Sequence, residues 1–117
     1  MSRRLPRGEE TLPIFEVEGR FVTLYELQSE YPSLYKQLIE TKTLPYALRI
    51  PDELLIERVK LRHAQGRVPT IYRLQPPYKL TPEEQIWHME QRTEIGLQLI
   101  EAERKLLEEE LKMLGLI

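Results

Sequence analysis

Along the first 80 residues the pattern of hydrophobic and polar positions changes period every few residues; after that it settles into one helical period. Leu12-Pro13-Ile14-Phe15-Glu16-Val17 and Phe21-Val22-Thr23 are short apolar and aromatic runs around Glu18-Gly19-Arg20. This predicts a β-hairpin, with Pro13 at a strand start or on an edge because proline donates nothing to a ladder. Thr23-Leu24-Tyr25-Glu26 has capping-box spacing and predicts a helix from Leu24 toward Glu30. Tyr31-Pro32 interrupts it, since the residue before a proline avoids the α region. Ser33 is expected to cap a second helix, from Leu34 to about Thr41. Leu44 to Ile50 reads as extended. Pro51-Asp52 then opens a third helix that continues to Gln65 and stops at Gly66, a left-handed cap. Val68 to Leu74, with its β-branched and aromatic residues, predicts an edge strand ended by Pro76-Pro77.

Thr81-Pro82-Glu83-Glu84 repeats the cap signature, with Pro at the first helical position. The pattern then runs on from Pro82 to about Leu114, which predicts a single rod roughly 50 Å long. One apolar stripe contains Ile86, Met89, Thr93, Leu97, Ile100, Leu107, Leu111 and Leu114, with Gly96 on its edge and Arg104 inside it. A second group, Ile95, Leu99, Ala102, Leu106 and Met113, points more than a quarter-turn away. The rest of the chain is too small to cover the rod on every side. One group is therefore expected to pack on the body and the other on a second protein chain; the competing reading buries both. The seven-residue spacing of Ile86, Thr93, Ile100, Leu107 and Leu114 suits a coiled-coil seam. The expected partner contact is Leu97, Ile100, Leu107, Leu111 and Leu114, with Gly96 admitting a second backbone and Trp87, off the stripe, as the anchor. On this reading Leu107→Glu breaks assembly and leaves the body folded.

The fold class expected is α+β: a small body of short strands and three short helices, followed by one long C-terminal helix. Residues 1–11 read as a flexible basic arm, 12–80 as the body and 81–117 as the long helix of the same single domain.

Composition narrows the function classes. A chain of 117 residues can bury a core without disulfides, and it has no Cys, which removes thiol nucleophiles and cysteine metal sites. No apolar run approaches the roughly 18 residues of a membrane span, and no apolar stretch follows the basic start, so the expected location is cytoplasmic, with no membrane partner. The absence of Asn, the single Asp and the nine Pro suggest a thermophilic source. Charge is uneven: residues 42–80 carry eight basic and three acidic side chains, whereas residues 81–117 carry four basic and nine acidic. Either the basic middle and the acidic helix face each other, or the middle meets an acidic partner such as nucleic acid. The nucleic-acid candidates are Arg49, Arg58, Lys60, Arg62, His63, Arg67 and Arg73 with Arg3, Arg4 and Arg7 of the arm, and Tyr46 and Tyr72 as stacking groups.

Tyr46-Ala47-Leu48-Arg49-Ile50-Pro51-Asp52-Glu53-Leu54-Leu55, with Gly66 at the helix end, resembles the strand and first helix of ribbon-helix-helix DNA-binding proteins. The resemblance implies a strand leading into a helix, and DNA as the partner. It stops at Gly66: the family's second long helix should follow at once, but Val68-Pro69 and Pro76-Pro77 leave room for barely one turn, which removes the helix that builds the family's dimer.

Catalytic chemistry has little to work with. The lone Asp52 sits at a helix cap, no nucleophile elbow surrounds Ser2, Ser29 or Ser33, and His63 and His88 fall on different helices. Paired carboxylates lie at termini or on solvated helix sides, and no glycine-rich phosphate loop exists. No catalytic residue, cofactor or metal is expected. The expected function is a non-catalytic protein-binding or assembly factor that uses its long helix to self-associate or to dock on a larger complex. The alternatives are a nucleic-acid-binding regulator, and a virus-encoded or accessory factor modulating a host machine such as the transcription apparatus.

Overall fold

Glu18 (φ 54°) and Gly19 (φ 77°) both take left-handed backbone, the two-residue turn that matches the twist of a hairpin. In the computed structural model, which describes residues 8–117, this turn joins β1 (Phe15–Val17) to β2 (Arg20–Val22), with Phe15 opposite Val22 and Val17 opposite Arg20. Pro13 precedes β1, where its missing donor costs nothing. The extended segment supplies β3 (Leu48–Arg49), antiparallel to the other edge of β1, so the sheet order is β2-β1-β3. This is a strand leading into a helix, as the ribbon-helix-helix resemblance implies, but it pairs within its own chain and a hairpin follows the helix.

Local signals set the first three helices. Helix α1 (Leu24–Glu30) carries the full capping box: the Glu26 N–H donates to Thr23 Oγ1 at 3.2 Å and the Thr23 N–H donates to Glu26 Oε1 at 2.9 Å. Helix α2 (Pro32–Thr41) begins ahead of Ser33, because Pro32 at the first turn has the right φ and lacks a donor that would be unpaired there anyway. Helix α3 (Asp52–Ala64) ends before Gly66, which takes φ 69°. The next strand is shorter than expected. β4 (Ile71–Tyr72) pairs with β5 (Lys79–Leu80), and Pro76-Pro77 forms the loop between them.

The single C-terminal rod does not form. It is two helices, α4 (Pro82–Gln91) and α5 (Glu94–Met113), about 15 and 30 Å long. Arg92 ends α4 in left-handed backbone (φ 55°), and Thr93 Oγ1 accepts the Gly96 N–H at 3.0 Å to cap α5. The same hydroxyl lies 2.8 Å from His88 Nδ1, so the break is held from both sides. Thr93 is thus a cap and not part of an apolar stripe. The break lets α4 and α5 pack on each other and on α3. Gly96 does admit a second backbone, but it is that of α4: a Cβ at Gly96 would lie 1.8 Å from the His88 carbonyl oxygen.

The core is shared by the sheet and the helices. Ile14, Phe15, Leu27, Leu38, Leu54, Leu55 and Leu107 are all inaccessible, and Ile100 and Leu111 join the same cluster. Gly115 (φ 74°) reverses the chain after α5, the Leu116 N–H donates to the Leu111 carbonyl at 2.9 Å, and the Leu116 side chain is buried in that core. The arm reading fails from Gly8 onward, since Glu9–Thr11 forms a 3-10 turn with Glu9 buried. Arg3, Arg4 and Arg7 lie outside the described residues.

Gly96→Ala forces the α4–α5 junction apart at a backbone atom, with no flexible side chain to yield. A loss of about 3 kcal/mol or more is expected, at the upper end of overpacking costs, and urea unfolding measures it.

Candidate functional site

Burial divides α5 in a way periodicity alone does not. Gly96, Ile100, Leu107 and Leu111 are buried in the chain's own core, and Leu114 packs half-buried against it. They are taken up internally because the sheet and α3 cover that side. Leu107→Glu therefore places a charge in the core and does not probe assembly. Leu97 (51 % exposed) and Trp87 (54 % exposed) stay accessible, and the Trp87 ring meets the His88 ring edge-on at 5.0 Å.

The side of α5 left open belongs to the second group. Ile95, Leu99, Ala102, Leu106 and Met113 follow a four-three-four-seven spacing, with Glu109 at the intervening seam position. Ile95 and Leu99 are half-buried; Ala102, Leu106 and Met113 are exposed. Leu97 is about 180° around the helix from Leu106, so the two mark different surfaces. Beside Leu99, Ala102 and Leu106 runs a mostly apolar groove of about 230 Å³, whose other wall includes Val68, Pro69 and Ile71 ahead of and within β4. Arg62 and Glu103 line it as well.

Those two residues belong to a cluster of six ionisable side chains, of which Glu9, Arg58, Glu103 and Glu110 are buried. Arg58 on α3 is wholly inaccessible: its Nε donates to Glu103 Oε2 (3.0 Å), its Nη1 to the Pro13 carbonyl (2.7 Å), and its Nη2 to Glu110 Oε2 (2.8 Å) and Glu9 Oε2 (3.4 Å). One turn on, Arg62 donates to both oxygens of Glu103 (2.9 and 3.0 Å) and both of Glu9 (3.1 Å each). Arg67 adds a bond to Glu9 Oε1 at 2.9 Å. Among the described residues no buried side-chain nitrogen or oxygen lacks a partner. Burial alone would raise the Glu9 carboxyl, but the bonds from Arg62 and Arg67 outweigh it and hold Glu9 down at about 2. Glu110 goes the other way: burial raises it to about 7, the neighbouring Glu9 adds to the rise, and Arg58 opposes it. Desolvation disfavours the Arg62 charge, yet Glu103 and Glu9 more than restore it.

The cluster answers the question raised by the uneven charge: the basic middle faces the acidic C-terminal helices inside the chain. Of the cations considered for nucleic acid, Arg58, Arg62 and Arg67 pair with the buried glutamates, Lys60 with Glu90 (3.3 Å) and Arg49 with Glu16 (3.6 Å). The Arg73 guanidinium donates to the carbonyls of Pro76 and Pro77, and His63 faces Glu83 at 3.2 Å. Tyr46 and Tyr72 are exposed. Sequence reasoning raised the facing of basic middle and acidic helix from the uneven charge but missed the burial, because Arg58 and Arg62 read as candidates for an acidic partner and the Glu108–Glu110 run as a solvated helix side. A further signal was the i, i+4 spacing of Arg58 and Arg62 and the i, i+7 spacing of Glu103 and Glu110 on facing helices.

Among the described residues no helix is long and apolar enough to cross a membrane, and no group of three acidic or histidine side chains is placed to hold a metal. Comparisons with protein-family models, curated proteins and solved structures find no match.

Removing one member of such a cluster leaves the others buried without counter-charge. Arg58→Ala is expected to cost about 3–5 kcal/mol in urea unfolding. A second expectation concerns acid. Glu9 is depressed in the fold, so as pH falls the unfolded chain takes up this proton first. The stability Glu9 contributes is complete above about pH 4.5 and is lost toward about pH 2. Denaturant midpoints measured through that window should fall, and Glu9→Gln should flatten the slope.

Proposed function

We propose that the chain is a non-catalytic protein-binding factor, and that the open side of α5 with its adjoining groove seats a helix of a different protein. The observation that carries this reading is the seam of half-buried Ile95 and Leu99 and exposed Ala102, Leu106 and Met113 on a 20-residue helix whose opposite side is already committed to the core. Coiled-coil spacing selects a helical partner. The polar positions argue against a second copy of α5. A parallel pair sets Glu109 against Glu109, and an antiparallel pair centred between Ala102 and Leu106 sets Glu109 against Leu99 and Lys105 against Lys105. The exposed flank of the seam carries Gln98, Lys105 and Lys112, so the partner helix has carboxylates along the matching edge.

Leu106→Glu tests the seat without touching the core, because Leu106 is 43 % exposed. The wild-type chain and the variant should share one circular-dichroism spectrum and one melting temperature. Photo-cross-linking from Ala102 in the source cells should capture a protein that the Leu106→Glu variant fails to capture. Identical captures from both, or a wild-type dimer that the variant dissolves, would refute a heterologous seat on this side.

A further inference from the structure

Two buried carboxyl groups come to the same nitrogen. Arg58 Nη2 donates to Glu110 Oε2 at 2.8 Å and to Glu9 Oε2 at 3.4 Å. Their other partners are unequal: Glu9 also accepts from Arg62 Nε, Arg62 Nη2 and Arg67 Nη1, whereas among the described residues Glu110 accepts from Arg58 alone. A proton entering the pair therefore settles on Glu110, the carboxyl with fewer donors, and its O–H can be given to Glu9.

Among the described residues, three elements bring charged groups to the pair. Helix α3 brings Arg58 and Arg62, the segment after it brings Arg67, and α5 brings Glu103 beside Glu110. Glu103 is occupied by Arg58 Nε and by Arg62. Among the described residues the neighbour left facing Glu110 is the carboxylate of Glu9, whose three-residue turn is also held by the bonds from Arg62 and Arg67 to Glu9, by Gln65 Nε2, which donates to Thr11 Oγ1 at 2.7 Å, and by the burial of Leu12 behind it.

We propose that Glu9 and Glu110 share one proton and form a latch that holds the Gly8–Thr11 turn on α3 and α5, and that the latch loosens when this proton leaves. With the proton in place the carboxyls are hydrogen-bonded. Without it, two like charges are confined at one guanidinium nitrogen where water does not screen them. The strain falls on the turn, because Glu110 is fixed in α5. The upward displacement of the Glu110 carboxyl supports the latch and sets its direction. Its folded value of about 7 lies above the ordinary 4.5, so the stability it contributes is complete below about pH 4.5 and is lost as pH rises through about 7.

Hydrogen–deuterium exchange on the full chain, corrected for intrinsic rates, tests this at the Leu12 N–H, which donates to the Glu9 carbonyl, with the amides of α3 as internal reference. Between about pH 5 and 8.5 the Leu12 amide should lose protection about tenfold relative to α3. Glu110→Gln stays neutral and keeps a donor for Glu9, so its protection should be flat over the same range. His63 and His88 are the same in both proteins, so the comparison isolates Glu110. A flat wild-type profile, or the wild-type slope in Glu110→Gln, would overturn the latch. Carbon-13 NMR of the wild-type side-chain carboxyls gives an independent reading: Glu110 should titrate well above its ordinary 4.5, and a midpoint at the ordinary value would also overturn the latch.

Discussion

A guanidinium with no access to water is the constraint around which this fold is arranged. Arg58 must find acceptors for its donors inside the protein or the chain does not fold there, and the acceptors it finds lie far apart in sequence: the Pro13 carbonyl, Glu9, Glu103 and Glu110. Meeting all of them at once fixes where the N-terminal turn, the start of the sheet and α5 sit relative to α3. Arg62 repeats the demand one turn along α3, with two-oxygen pairing to both Glu103 and Glu9. Apolar packing alone would tolerate small slides of α5 along α3; paired forks and carboxylates do not.

That geometry has a consequence for surfaces. Arg58, Arg62 and Arg67, three of the cations that give the middle of the chain its positive balance, are taken up by glutamates buried inside it. The face of α5 that carries Glu103 and Glu110 is closed by α3, and the stripe of Ile100, Leu107 and Leu111 is closed by the core. The remaining apolar side of α5 stands beside the groove next to β4, where Leu99, Ala102 and Leu106 are accessible. Protein docking is thus proposed for the surface that the internal ion pairs leave uncovered.

The α4–α5 junction shows how local and distant forces divide the work. Thr93 caps through its hydroxyl as Thr23 and Thr81 do, but Gly96 stands where they have a glutamate, so no capping-box spacing marks the break, and helical periodicity continues through it with no proline to mark a stop. A continuous helix and a capped break are close in local free energy, worth about 1 kcal/mol for the cap. Tertiary packing decides between them, because only the broken form lets α4 fold back on α5 with the Gly96 backbone against the His88 carbonyl.

The α+β class, the first hairpin, the three short helices, the Thr23 cap of α1 and the glycine stop of α3 were legible in the sequence, since each is set by interactions within a few residues: a capping hydroxyl, a proline φ, a left-handed turn. The pairing of β4 with β5 was not legible, because two-residue strands carry no periodic signal and depend on what they pack against. The choice of which α5 stripe becomes core was equally hidden. Both stripes are apolar at helical spacing, and only the position of the sheet and α3 distinguishes them. The buried charges lay furthest from view. Glu9 in a basic N-terminal stretch and Arg58 on a charged helix have nothing local to mark them as interior, and their burial is determined by partners 45 to 58 positions away that the folded chain brings within hydrogen-bonding distance.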